Sequence, residues 1–318
     1  MAGEKPFPRI TNWTDVRSVF PPDRRYRYLE HCDEFPFRHG ADWFDLVNAW
    51  WLMELSFLVY VDDADFVKQT ITSVVDDVEV DCLNFGMGIG ECLIVHNSKF
   101  VIVAYRGTLL DSPSHVLTDL WAVPRTARTN EKVHSGFHWA VDRTWERIAA
   151  HIKHVRHAGQ LVFFTGHSLG AAMATIAAQR CDAELAPVQA LYTFGSPRVG
   201  DRVFARDFGL PAYRVCNDKD IFCRVPPQSV RMGRQINVDL YRHVGASFCF
   251  DAMGNLTPRE PAPSRQPWKT LREVFRDAKR EEENRTFLKP LIDHSPKVYA
   301  IRLWNTLIRS GEGENDES

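Results

Sequence analysis

The most apolar stretch of the chain is Ala49–Val61, AWWLMELSFLVYV, set within Asp42–Tyr60, which contains neither Gly nor Pro. Its length and lack of breakers predict a helix. Glu54 interrupts it, and it is shorter than the ~20 residues a membrane span needs, so it reads as a core helix packed on a sheet. Valine-rich alternation over Val74–Asn84 predicts a strand, and Glu91–His96 and Phe100–Tyr105 predict two more, with turns at Gly86–Gly90 and Asn97-Ser98. Thr108–Asn130 holds Pro113, Pro124 and many polar positions, which predicts a long loop or flap. His134–His157 reads as a helix. Leu161–Thr165 (LVFFT) is a wholly apolar run of the kind found in strands covered on both faces. The alanine-rich Ser168–Arg180 predicts a helix, and Val188–Phe194 and Ala212–Cys216 predict further buried strands. Strand and helix alternate, which argues for an α/β domain with a parallel sheet.

The ends differ in character. Residues 1–40 contain Pro6, Pro8, Pro21, Pro22 and Pro36 and read as an irregular N-terminal extension to a domain over 41–310. Gly311–Ser318, GEGENDES, reads as a disordered tail. Pro258–Pro267 reads as a loop, and the mixed-sign Trp268–Arg285 as a solvated helix.

Composition narrows the function. With 44% hydrophobic and 25% charged residues the chain is globular rather than disordered. The 39 basic and 41 acidic residues leave a net charge of −2, which argues against general nucleic-acid binding. Seven cysteines occur without a C-x-x-C or zinc spacing, so reduced thiols and no metal are expected. The first twenty residues carry Glu4, Lys5, Arg9, Asp15 and Arg17 and no apolar core of a signal peptide. A cytoplasmic location follows as an expectation, with leaderless secretion as the alternative. Gly86-x-Gly88-x-Gly90 is followed by the strand-like ECLIV, so it reads as a hairpin and not as a phosphate cradle, which needs a helix there. His151, His154 and His157 read as a solvated helical face rather than a metal site.

The candidate chemistry lies at Gly166-His167-Ser168-Leu169-Gly170, a G-x-S-x-G directly after the strand LVFFT and opening the helix LGAAMATIAAQR. That strand–turn–helix is what a nucleophile elbow requires, with Ser168 as nucleophile and the backbone N–H of Leu169 as an oxyanion donor. A serine hydroxyl needs a base, and the base an orienting carboxylate. In this arrangement the chain order is Ser, acid, His. Asp201, Asp207, Asp218, Asp220 and Asp239 are the candidate acids; Asp220, just past the strand AYRVC, is well placed, and Asp218 competes on position. His243 and His294 are the candidate bases.

Six blocks then carry a resemblance. Arg106-Gly107-Thr108, Val133-His134-Ser135-Gly136-Phe137, the TGHSLGAA from Thr165, Phe194-Gly195-Ser196-Pro197-Arg198-Val199-Gly200, Asn217-x-x-Asp220 with Pro226-Pro227, and Asp293-His294 followed by Tyr299 stand in the order seen in class 3 lipases. Over about residues 42–305 the chain resembles that family, the fungal-type triacylglycerol lipases. Tyr299 lies two positions further from the histidine than in the family pattern. The resemblance implies an α/β-hydrolase fold: a mostly parallel central sheet flanked by helices, with a lid over the site. It implies Asp220 as the acid, His294 as the base, a structural role for His243, and Thr108 as the second oxyanion donor. It places a lid at Leu109–Leu117, with Leu109, Leu110, Val116 and Leu117 as an apolar substrate-facing surface. The implied activity is hydrolysis of lipid carboxylic esters through an acyl-enzyme, without cofactor, on a substrate met at a lipid–water interface. A phospholipase A1 or other glycerolipid hydrolase is the enzyme alternative, and a silent lipase-like binding domain the non-enzyme one.

Overall fold

Buried strands need apolar residues on both sides, and the runs that supply them line up in the middle of one sheet. The structure, a computed structural model, describes residues 9, 19, 21–86, 90–107, 124–126, 132–232, 236–261 and 285–313. Among these, strands β1 (Glu79–Leu83), β2 (Cys92–His96) and β3 (Phe100–Tyr105) precede two short strands, β4 (Pro124–Thr126) and β5 (Lys132–His134). β6 (Leu161–His167), β7 (Val188–Phe194) and β8 (Ala212–Cys216) follow. β9 (Ser229–Met232), β10 (Ile236–Asp239), β11 (Ala246–Phe250) and β12 (Leu256–Pro258) come last. The main sheet has the order β1-β2-β3-β6-β7-β8-β11-β12. Its centre, β3 to β11, is parallel, and antiparallel pairs close both edges.

The helices are α1 (Leu46–Leu58), α2 (Ala64–Thr72), α3 (Ser135–Val155), α4 (Leu169–Glu184), α5 (Arg202–Asp207), α6 (Arg285–Ile292) and α7 (Pro296–Gly313). Alternate strand residues feed two cores. Val162 and Phe164 of β6 join α3 and α4 on one face, while Phe163 joins α1 and α7 on the other. α3 follows helical periodicity, burying Phe137, Val141, Ile148 and Ile152 on one side. α1 is buried from Val47 to Leu58, because it lies between the sheet and α7, with Trp50 against Trp304 at 5.3 Å between ring centroids. That burial explains its uniform hydrophobicity, and among the described residues no helix is long and apolar enough to cross a membrane.

Three expectations shift. The strand read at Val74–Asn84 is shorter, β1, and is preceded by the helix α2. α7 runs to Gly313, three residues into the stretch read as a disordered tail. The N-terminal stretch is irregular, yet its Tyr28, Leu29 and Cys32 are buried in the same core as α1 and α7. β1 pairs antiparallel with β2, and residues 87–89 of the glycine-rich segment between them lie outside the described ones. Most of the mixed-charge segment 268–285 lies outside them too. His151 is not simply solvated: its Nε2 meets Asp81 Oδ2 at 3.0 Å, and His96 reaches the same oxygen at 3.3 Å.

Candidate active site

β6 ends at His167 and α4 begins at Leu169, so a single residue, Ser168, makes the turn. Its φ of 59° and ψ of −129° lie outside ordinary strand and helix values. The flanking glycines are required by contact. A Cβ at Gly166 would stand 2.5 Å from the carbonyl of Gly170, and one at Gly170 would stand 2.3 Å from the Tyr105 carbonyl oxygen of β3. Backbone blocks both, so no rotamer change relieves the clash. α4 therefore starts hard against the sheet and presents the N–H of Leu169, in the first turn of a helix where such groups have no intrahelical acceptor.

Three buried side chains converge at the carboxyl ends of the parallel strands, where open α/β sheets place their sites. His294 Nε2 lies 2.8 Å from Ser168 Oγ. His294 Nδ1 lies 2.9 and 3.0 Å from the two carboxylate oxygens of Asp220, which follows β8. A carboxylate only accepts, so Nδ1 carries the proton and the bare Nε2 accepts from the Ser168 hydroxyl. Ser168 is 3% exposed, and Asp220 and His294 are fully buried. The Asp220 carboxylate is held by two further donors, Tyr299 Oη at 2.7 Å and the Phe222 N–H at 2.8 Å. Tyr299 in turn accepts from the Asn217 N–H at 2.9 Å. The first turn of α7 thus brings Tyr299 to the acid despite its longer spacing from the histidine. Burial and the neighbouring Asp220 push the Tyr299 phenol well up, so it stays a donor. The Phe222 ring stacks on the imidazole at 3.8 Å and 18°.

The competing assignments separate in space. Asp218 lies two residues from Asp220 and is half-buried, whereas the imidazole of His294 bonds Asp220 and Ser168. His243 Nε2 donates to the Cys223 carbonyl at 2.8 Å, a structural bond. Thr108, Leu109, Leu110, Val116 and Leu117 lie outside the described residues.

Several neighbours of these groups were not legible as such. His167 Nε2 donates to the His294 carbonyl at 2.7 Å, so its Nδ1 is bare and accepts from Tyr60 Oη at 2.9 Å. Burial holds the His167 pKa well below the ordinary histidine value, and the nearby His294 adds to this, so the ring stays neutral. Gly195, at φ +59°, lies against the imidazole: a Cβ there would stand 2.9 Å from Asp220 Oδ2 and 3.0 Å from His294 Nδ1. The Gly-Ser-Pro segment marked Gly195; nothing in the local sequence marked Tyr60. Among the described residues no cluster of His, Cys, Asp and Glu has metal-binding geometry.

Residues 102–230 match the family model Lipase (class 3). A chloroplastic phospholipase A(1) of Arabidopsis thaliana is 32% identical over 163 residues, 44% of this chain and 36% of that protein. The secreted mono- and diacylglycerol lipase 1 of Fusarium solani is 37% identical over 176 residues, 52% of this chain and 48% of that protein. The chain thus spans between about a third and a half of the length of these relatives. The Rhizomucor miehei lipase, in a complex with its propeptide, superposes with a TM-score of 0.52 and 20% identity over 68% of this chain and 71% of that one. At that identity the likeness establishes the shared α/β-hydrolase fold.

Proposed function

With residues 102–230 matching the class 3 lipase model, we infer that this chain hydrolyses carboxylic esters of lipids through an acyl-enzyme. The observation that carries the reading is the unbroken hydrogen-bonded chain Asp220–His294–Ser168 at the carboxyl edge of the sheet. In it, Ser168 Oγ attacks the ester carbonyl as His294 Nε2 takes its proton. Asp220 fixes the tautomer that leaves Nε2 bare and stabilises the imidazolium formed. His294 then passes the proton to the departing alcohol, and a water activated by the same nitrogen releases the acid. The tetrahedral oxygen is received by the N–H of Leu169 and, on the family resemblance, of Thr108, each such donor being worth ~3 kcal/mol. By the same resemblance we assign Leu109, Leu110, Val116 and Leu117 to the apolar face of a lid that meets a lipid–water interface. The domain extends over about 41–310. The compartment we assign is the cytoplasm, supported by seven free thiols, three of which (Cys216, Cys223, Cys249) form one buried cluster.

Head-group choice has a second reading. The Arabidopsis relative's description as a phospholipase A(1) favours a phospholipid ester. Turnover of p-nitrophenyl esters from short to long chains, of emulsified triacylglycerol and of phosphatidylcholine liposomes tests both. Wild-type turnover that Ser168→Ala abolishes while the protein stays folded is expected. A folded wild-type protein inert on all substrates would leave a lipase-like binding domain instead.

A further inference from the structure

Beside the His294 loop, the turn between β11 and β12 and the helices α6 and α7 line an open cavity of about 430 Å³. Its wall carries three cations, Lys289, Arg302 and Arg309, against one acid, Asp293. Asp293 is buried and already engaged: Lys289 Nζ lies 3.0 Å from its Oδ1, Arg302 Nη2 is 3.6 Å away, and the Lys219 N–H donates to its Oδ2 at 3.2 Å. The nearby Asp251 is spent on its own turn, accepting from the N–H groups of Met253 and Asn255 and from the Asn255 amide.

The cations are underused. The Arg302 side chain is only 12% exposed, and its one hydrogen bond among the described residues runs from Nη1 to Asn217 Oδ1 at 3.0 Å. A guanidinium carries five donors, and among the described residues its Nε and Nη2 have no acceptor at hydrogen-bond distance, the Phe250 ring lying 5.7 Å from Cζ. Among the described residues Arg309 meets oxygens of neutral groups, the Asn305 and Gly254 carbonyls and the Thr306 hydroxyl. Cationic donors beside a cavity, with excess positive charge, suit an oxyanion, and guanidinium forks suit carboxylate and phosphate in particular. Met253, 80% exposed, together with Ile292 and Val298 adds apolar surface to the same cavity.

We propose that this cavity binds the oxyanion head of an alkyl-chain amphiphile through Lys289, Arg302 and Arg309, and that occupancy slows turnover by loosening the His294 loop. Asp293 directly precedes the histidine, and its carbonyl accepts from Asn217 Nδ2 at 2.7 Å. An anion that draws Lys289 and Arg302 away from Asp293 unties the loop that aims His294. The shared chemistry has two sources, the fatty-acid carboxylate that ester hydrolysis releases and a phosphate left on a phospholipid fragment. The effect on turnover rests on the hydrolase reading above; the binding does not.

Isothermal titration of the full chain with decanoate, decyl phosphate, neutral decyl glucoside and inorganic phosphate tests the binding. Both anionic amphiphiles are expected to bind at least about tenfold more tightly than the glucoside, and Arg309→Gln to weaken them about tenfold, the loss of one charge-assisted hydrogen bond. The tighter of the two identifies the source. Inorganic phosphate is expected to bind more weakly than decyl phosphate, by the contribution of the apolar wall. Binding that Arg309→Gln leaves unchanged belongs to another site and overturns the proposal, as does parity with the glucoside. On a soluble ester, a saturating anion is expected to lower kcat with KM unchanged, and Arg309→Gln, whose basal kcat matches wild type, to blunt that loss. Binding without a fall in kcat overturns the coupling. A wild type that binds the anions but turns over no ester overturns the hydrolase reading instead.

Discussion

Replacing Gly195 by alanine separates backbone strain from damage to the His294–Asp220 pair. Gly195 sits at φ +59°, a conformation that costs an L-residue about 1–2 kcal/mol. The added Cβ would also stand 2.9 Å from Asp220 Oδ2, 3.0 Å from His294 Nδ1 and 3.1 Å from His294 Cε1, where ordinary contact begins at 3.4 Å. Both side chains are buried, and Phe222 stacks on the imidazole, so the pair must shift as a unit by a few tenths of an ångström. Misplacing a reacting group by about 1 Å costs roughly 10²-fold, so a shift of this size should cost about tenfold in kcat.

Gly159→Ala is the matched control. Its φ is +89°, yet no atom lies within 4 Å of the position a Cβ would take. Both variants should lose about 1–2 kcal/mol, a Tm fall of about 1.5 °C per kcal/mol given roughly 2.1 cal/mol/K of unfolding entropy per residue. Only Gly195→Ala should lose kcat on p-nitrophenyl butyrate, with KM little changed. Equal Tm losses with kcat of Gly195→Ala within about twofold of the control would refute the reasoning, because the imidazole would then be free to absorb the contact.

Three other outcomes are expected. Asp220→Asn should lower kcat about 10⁴-fold, because the amide can favour the wrong imidazole tautomer, while Asp218→Asn stays within about twofold of wild type; the reverse ranking in steady-state assays would reassign the acid. His167 is kept neutral by burial in the fold but takes a proton when unfolded below pH ~6.5, so the unfolded state binds more protons there and stability falls as pH falls. Urea midpoints should show a contribution of about 1.4 kcal/mol per pH unit below that point, fully regained above it, that His167→Gln removes. Glu54 is buried and accepts from Tyr26 Oη, Trp50 Nε1 and the Leu29 N–H, with Arg9 3.6 Å away. Glu54→Leu strands all of these and should cost about 3–5 kcal/mol by urea unfolding, whereas Glu54→Gln keeps an acceptor oxygen and should cost about 1–2 kcal/mol.

What could be read from the chain was set by short-range physics. β3, β6, β7 and β8 are runs of apolar residues covered on both faces, and their burial makes them visible without any partner. The elbow was visible because Gly166 and Gly170 answer to one local turn. Asp220 and His294 were harder, since they are 74 residues apart and only tertiary packing sets them side by side. Position left Asp218 and His243 in contention, and only family resemblance ranked them. Tyr60 was hidden completely. It looks like one more apolar position of α1's tail, and its hydroxyl matters through His167, 107 residues away. β11 was also missed as a sheet member, because its exposed Ala246 and half-buried Phe248 break the pattern of a covered strand.

The loop that carries His294 shows why the first forty residues belong to the working body. A general base needs its nitrogen fixed to within a fraction of an ångström, yet a loop between two helices has few bonds of its own. This one is held from outside. The Ser295 hydroxyl donates to the carbonyl of Val19, and Lys297 pairs with Asp23 at 2.7 Å with both side chains largely buried. Further along α7, Asn305 exchanges two hydrogen bonds with the Arg9 backbone, at 2.7 and 2.9 Å. From the opposite side, His167 grips the His294 carbonyl and Asn217 that of Asp293. Two of these clamps come from beside Ser168 and Asp220, so those two residues and His294 share one frame. The others come from Arg9, Val19 and Asp23 of the N-terminal stretch. Residues that composition alone sets apart from the domain thus hold the segment that carries His294.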